Sequence, residues 1–160
     1  MKPVYAVLLL AALAATPAAA QKAPPPDRGS PAAVDAVRQA VRDDKRALVG
    51  KNMQLSEAEA KRFWPIYDEY QKELDKILQR QNRAVLDYVN QESSMTDSNA
   101  SRIAGEVLAA DADERKLVDK TYKKLRTAIP VRKAVRFLQI ENKIRSLLRY
   151  DMAAQIPLVR

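Results

Sequence analysis

The sequence predicts an all-α protein, an elongated four-helix bent hairpin with two long central helices, and three observations carry that prediction. Ala, Leu, Lys, Arg, Glu and Gln dominate the 160 residues while Gly occurs only three times, which is the palette of helices. Apolar residues recur at alternating steps of three and four through the middle of the chain, the spacing of one helix face. Clusters of Pro, Ser, Thr and Asp separate those periodic stretches and mark where helices start and stop.

The first twenty residues read as a secretory signal. Lys2 precedes the apolar run from Val4 to Ala15, Pro17 breaks it, and Ala18-Ala19-Ala20 places small residues at the cleavage positions. The run is too short to cross a hydrocarbon core of about 30 Å, so stable membrane insertion is not expected, and a retained anchor is the plainer alternative. No Cys follows the cleavage site, so no lipid is attached there. The expected location is the periplasm, if the source has an outer membrane. Residues 21–30, reading QKAPPPDRGS, offer almost nothing to bury and are expected to form a disordered, Pro-rich leader. A single helical domain is expected over residues 31–156.

Ser30 followed by Pro31 starts helix 1, whose Val34, Val37, Val41 and Leu48 keep helical spacing up to Gly50, read as a stop. Ser56-Glu57-Ala58-Glu59 is a capping box that opens helix 2. Phe63, Tyr67, Tyr70, Leu74, Ile77, Gln81, Ala84 and Tyr88 then form a coiled-coil type seam to about Gln91, a rod of roughly 50 Å. Pro65 inside it removes the bond to the Lys61 carbonyl and predicts a bend between Phe63 and Tyr67. Glu92 to Ser98 reads as a turn. Helix 3 is expected from Thr96 or Asp97, along Ile103, Val107, Ala110, Leu117, Thr121 and Leu125, to Ala128. Pro130 restarts the chain as a first-turn Pro, and Val131, Val135, Phe137, Leu138, Ile144, Leu147 and Leu148 mark helix 4 as far as about Ala154. Two central rods of this length outrun any neighbour in so small a chain, so a second copy covering their exposed seams is expected, giving a homodimer.

Composition removes whole classes of chemistry. With no His and no Cys there is no thiolate nucleophile, no Ser-His relay, no thiolate zinc site and no disulfide. Three scattered Gly write no phosphate-cradling loop. An enzyme is the least expected class, and no cofactor or metal is called for. Asp111, Asp113 and Glu114 cluster, but ion pairing with nearby bases is the better reading than acid catalysis or a carboxylate-only cation site.

Charge is the more informative property. The chain carries a formal +8, and the stretch from Arg115 to Arg149 holds twelve basic side chains against Asp119 and Glu141. Lys116, Lys120, Lys123, Lys124, Arg126, Arg132, Lys133 and Arg136 are the candidate binding residues in that block. For any one lysine a solvated helix face is the plain reading; the asymmetry of the block favours an anionic partner. Export argues against nucleic acid, leaving anionic headgroups, acidic polymers and acidic stretches of unfolded proteins. Phe63, Trp64, Tyr67 and Tyr70 form the aromatic cluster. Core packing is its first reading, and an apolar contact surface for a client or dimer partner is the functional one.

Leu55-Ser56-Glu57-Ala58-Glu59, opening a long helix in a small exported helical protein, resembles the Leu-Thr-x-x-Gln motif of the Spy/CpxP family of periplasmic stress proteins and ATP-independent chaperones. The likeness runs from about Leu48 to Tyr150 and rests on layout more than on residues, since Ser replaces Thr and Glu replaces Gln. The family's second motif would fall on Ile129-Pro130-Val131-Arg132-Lys133 and keeps little; Met95-Thr96-Asp97-Ser98-Asn99 looks more like it, at a different helix start. Phe63-Trp64-Pro65-Ile66-Tyr67 and the run from Arg136 to Asn142 are similar to an uncharacterised branch of exported relatives. The resemblance implies a cradle-like antiparallel dimer with a basic, partly apolar concave face that holds unfolded clients. It also implies Leu55, Ser56 and Glu59 as the motif that caps helix 2. Rival expectations are a regulatory accessory that docks on an envelope sensor protein, and a structural envelope protein on anionic lipid or polysaccharide.

Overall fold

A computed structural model describes residues 31–154 and 156–158. The signal, the leader and the Ser30 cap lie outside those residues. The described chain is all-α, with α1 at Pro31–Met53, α2 at Glu57–Gln91, α3 at Asp97–Ala128 and α4 at Val131–Ala153, and one 3₁₀ turn at Glu92–Ser94. None of its helices is long and apolar enough to cross a membrane.

Each α2 and α3 boundary has a local cause. Ser56 Oγ accepts from the Glu59 amide at 3.3 Å while Glu59 Oε2 accepts from the Ser56 amide at 2.7 Å, so the box satisfies two amides at the start of α2. Thr96 Oγ1 accepts from the Asn99 amide at 3.2 Å and starts α3 in the same way. α2 continues through Pro65 without ending there. Pro130 stands one position earlier than expected, as the cap of α4 rather than its first residue.

Two expectations for α1 are corrected. Gly50 does not stop the helix, which ends at Met53 where Gln54 turns into the left-handed region at φ 51°. Gly50 is a notch instead: a Cβ there would meet Trp64 Cζ2 at 3.3 Å. The break in α1 comes earlier, at Asp44, whose extended backbone (φ −161°, ψ 93°) splits the helix. Its Oδ1 accepts from the Ala47 amide at 2.9 Å and caps the second half.

The helices alternate in direction. α2 and α3 pack along one another, α4 returns along α3, and α1 lies against α4. Short connections align all four at the end where α1 meets α2 and α3 meets α4. α2 and α3 are 35 and 32 residues long against 23 for each of the others. Their excess of about 15 Å therefore projects at the 3₁₀ turn.

The core fills the aligned end. Val49 and Met53 of α1, Phe63, Tyr67, Tyr70 and Leu74 of α2, Leu125 and Ile129 at the end of α3, and Ala134, Phe137 and Ile144 of α4 form one buried cluster. Phe137 stands edge-on to Phe63, Tyr67 and Tyr70, with centroids 5.7, 6.2 and 5.5 Å away. That places the inward face of α4 on Ala134, Phe137, Glu141 and Ile144. The expected stripe was shifted, for Val131, Val135 and Leu148 are exposed. Toward the 3₁₀ turn Ala84, Ile103 and Ala110 are buried on α2 and α3, Leu86, Val89 and Leu108 are exposed, and the Tyr88 hydroxyl donates to the Pro157 carbonyl beyond α4 at 2.9 Å.

Candidate functional site: the basic faces and the buried carboxylates

The aromatic cluster is core. Phe63, Tyr67 and Tyr70 are each no more than 3% exposed, so they present no contact surface in this fold. Trp64 is half-buried, edge-on to Phe63 at 5.0 Å and Tyr67 at 5.3 Å, and the Arg46 guanidinium lies 4.1 Å from its ring centroid. Arg46 also pairs with Asp68. Of the four predicted apolar contact residues, only Trp64 keeps an edge near the surface, and a cation covers it. Burial pushes the hydroxyls of Tyr67 and Tyr70 well above the usual phenol range, with the Glu141 charge adding to it, so both stay protonated.

The motif residues build a joint. Leu55 is half-buried against the core. Glu59, besides capping α2, accepts from Lys133 Nζ at 2.5 Å, and the same ammonium donates to the Gln54 carbonyl at 2.8 Å. Lys133 thus ties α4 to the end of α1 and the start of α2. The Lys133 hydrogen bond, followed by that of the Ser56 amide, holds the Glu59 carboxyl below its usual range.

Predicted binding lysines on α3 are largely compensated. Lys124 pairs with Glu69 at 2.6 Å and Lys120 reaches the same carboxylate at 3.9 Å, both across to α2. Lys116 pairs with Asp113 at 3.2 Å and Lys123 with Asp119 at 2.6 Å along α3 itself. Lys133, already engaged twice, is a structural tie and not a free binding group. The expectation that the whole block stands uncompensated is therefore corrected. Sequence distance hid the acids, since Glu69 lies more than fifty residues from its lysines.

What remains of the block, apart from Arg115, lies at the end of α3 and on α4. Among the described residues no acid lies within ion-pair reach of Arg126, Arg132, Arg136 or Lys143. Arg136 donates instead to Gln54 Oε1 at 2.9 Å. Exposed Val131 and Val135 alternate with Arg132 and Arg136 along the first turns of α4. The result is a mixed surface, aliphatic and cationic side by side.

The feature that sequence reasoning missed is a charged layer inside the molecule. Glu114 and Glu141 are 2% and 1% exposed and occupy inward positions on α3 and α4. Glu114 accepts from Arg145 through one oxygen and from Arg149 through the other at 2.7 Å. Arg149 also reaches Asp111 at 3.0 Å, which accepts from Gln81 at 3.1 Å. Glu141 Oε2 accepts from Lys45 at 3.0 Å and from the Tyr70 hydroxyl at 3.2 Å, and Lys45 donates to Gln71 Oε1 at 3.0 Å. Farther along, Arg38 of α1 clasps Asp151 of α4 at 2.9–3.1 Å. Burial works against the Glu114 charge, yet the hydrogen bonds from Arg145 and Arg149 outweigh it and hold the carboxyl below its usual range. The gap in the helix 3 stripe between Ala110 and Leu117, where Glu114 stands at the seam spacing, was the available signal.

Asp111, Asp113 and Glu114 are all drawn toward arginines or a lysine. Among the described residues no group of three or more acidic side chains is arranged to hold a metal ion. No family model, no curated protein and no solved structure matches the chain.

Proposed function

We propose that the protein is an exported, ATP-independent chaperone-like or envelope-stress protein that binds unfolded or acidic protein clients on α4 and its corner with α3. One observation carries this reading: cations without acid partners, Arg132 and Arg136, stand beside the exposed aliphatic Val131 and Val135 on α4. Such a surface suits a client that is partly unfolded. Lys and Arg attract acidic segments over a distance set by salt, and two small aliphatic side chains hold exposed apolar stretches weakly enough to release them. No nucleotide is needed for that cycle. The Spy/CpxP resemblance, carried chiefly by layout and by Leu55 to Glu59, points the same way.

A cradle-like antiparallel homodimer belongs to the proposal. Its support is the outward-facing Leu86, Val89 and Leu108 on the projecting ends of α2 and α3, which a second copy would cover. The signal-like first twenty residues support export, and the periplasm is the proposed location where the source has an outer membrane.

The test is light scattering from a denatured acidic client, with and without the protein, at low and high salt. Suppression that weakens with salt and is lost in Val131→Ser/Arg132→Gln/Val135→Ser/Arg136→Gln supports the reading. Equal suppression by wild type and variant, or none by either, refutes it. Capture of one folded acidic sensor domain without any protection of clients would favour the regulatory accessory instead.

A further inference from the structure

Gln54 is the one non-glycine residue in the left-handed region among those described, at φ 51°. It follows the last residue of α1, the position where glycine is the favoured residue because it has no Cβ to crowd the backbone. A glycine there would keep the carbonyl that Lys133 uses but would lose the side chain. That side chain does one thing: Gln54 Oε1 accepts from Arg136 Nη1 at 2.9 Å. A disfavoured backbone is therefore kept at the residue that orients one guanidinium, a pairing that points toward a site.

The oriented Arg136 borders a hollow of about 320 Å³ between the end of α1 and the outer face of α4. Lys51 and Lys143 line it too, together with the amide of Gln139, and no acidic residue does. Single cations without an ion pair among the described residues, such as Arg62, Lys72 and Arg83, also stand on the surface of α2, whereas Lys120, Lys124 and Arg145 are paired with Glu69 and Glu114. Here three positive charges share one concavity, and none has an ion pair among the described residues. Their summed charge makes the hollow attractive to an anion.

We propose that this hollow binds a phosphate-type oxyanion, a phosphomonoester or a short polyphosphate. The Arg136 fork suits two oxygens of one phosphate, and the two lysines act as mobile point charges around it. A monoester carries roughly −1.5 to −2 at neutral pH, which three cations match better than a single carboxylate would. Gln54 is a positioning residue and does not touch the ligand. The site does not depend on the client-binding reading, although Arg136 serves in both.

Calorimetric titration with sodium pyrophosphate at about 0.15 M salt tests it, with vesicles containing phosphatidic acid as a second arm. Saturable one-site binding of pyrophosphate is expected, and vesicle binding competed by pyrophosphate would identify a lipid headgroup as the source. Arg136→Gln and Lys143→Gln should each weaken pyrophosphate binding about tenfold, as loss of a charge-assisted contact does. Arg83→Gln, the same charge change on α2, should leave it unchanged. Gln54→Gly should raise the thermal midpoint by relieving the backbone and still weaken binding about threefold. A purely structural Gln54 would move the midpoint and not the affinity, and that result removes its positioning role. No binding of pyrophosphate, or equal weakening by Arg83→Gln, overturns the site. Client protection without pyrophosphate binding would remove this inference alone.

Discussion

Two adjacent layers of the molecule are held together by opposite means. At the aligned end, Val49, Met53, Phe63, Leu125, Ala134 and Phe137 meet without a charged group among them. From about one to three turns farther along α4, α1, α3 and α4 meet through Lys45, Glu114, Glu141, Arg145 and Arg149. Apolar contact is non-directional and tolerates sliding by a turn, whereas a buried carboxylate is satisfied only where its own arginine or lysine stands. The difference assigns the layers different work: the aromatic layer supplies stability, and the charged layer sets which residues of α1, α3 and α4 face each other.

Several substitutions bear on that comparison. Phe137→Ala removes the ring shared by three aromatic neighbours, and about 3–5 kcal/mol of unfolding free energy should go with it, read by denaturant titration. Glu114→Gln leaves the mostly buried Arg145 without its carboxylate, while Arg149 is half exposed and keeps Asp111, and it should cost about 2 kcal/mol at neutral pH. That loss should shrink with acid. The folded carboxyl of Glu114 titrates below its unfolded counterpart, so its contribution is complete above the unfolded value and disappears as pH falls through the folded one. The gap between wild type and Glu114→Gln should therefore narrow steadily from pH 6 to pH 3; a constant gap would mean that the carboxylate charge contributes nothing.

Replacing the ionic set around Glu141 as a unit, in Lys45→Met/Tyr70→Phe/Glu141→Leu, should be neutral or stabilising by about 1 kcal/mol or more. If the charged layer sets the register, the same variant should show broadened or doubled amide resonances; sharp single resonances would refute that role. Ser56→Ala, which removes one side of the capping box, should cost about 1 kcal/mol. Lys116→Ala should leave the denaturation midpoint where it is, because its partner Asp113 is also held by Arg80 and the lysine side chain is 78% exposed.

The elements whose causes are local were readable. Ser56 with Glu59, and Thr96 before Asn99, mark helix starts within a few residues of sequence, and the seam from Phe63 to Ala84 follows from spacing alone. Features that needed a distant partner were not. Glu141 stands where an apolar residue was sought, so the inward face of α4 was read onto Val131 and Val135, and only Lys45 and Tyr70 make the true face intelligible. Asp44 sits in a run of charged residues that looks like solvent-facing helix, and its break shows no periodicity signal. Gly50 was read for backbone freedom when its smallness against Trp64 is what the fold uses. The basic block was legible as composition, but its compensation by Glu69 and Glu59 is a property of the folded chain.

The interruption at Asp44 divides the amide ladder of α1 into two lengths. Fraying that begins among the first residues of the helix stops there, since the Ala47 amide is anchored to a carboxylate and not to the turn before it. The outer length is tied to α4 by the Arg38–Asp151 clasp, whereas the inner one is fixed by Val49 and Met53 in the core. Lys45, one residue past the break, thus starts the inner length and carries its ion pair to Glu141.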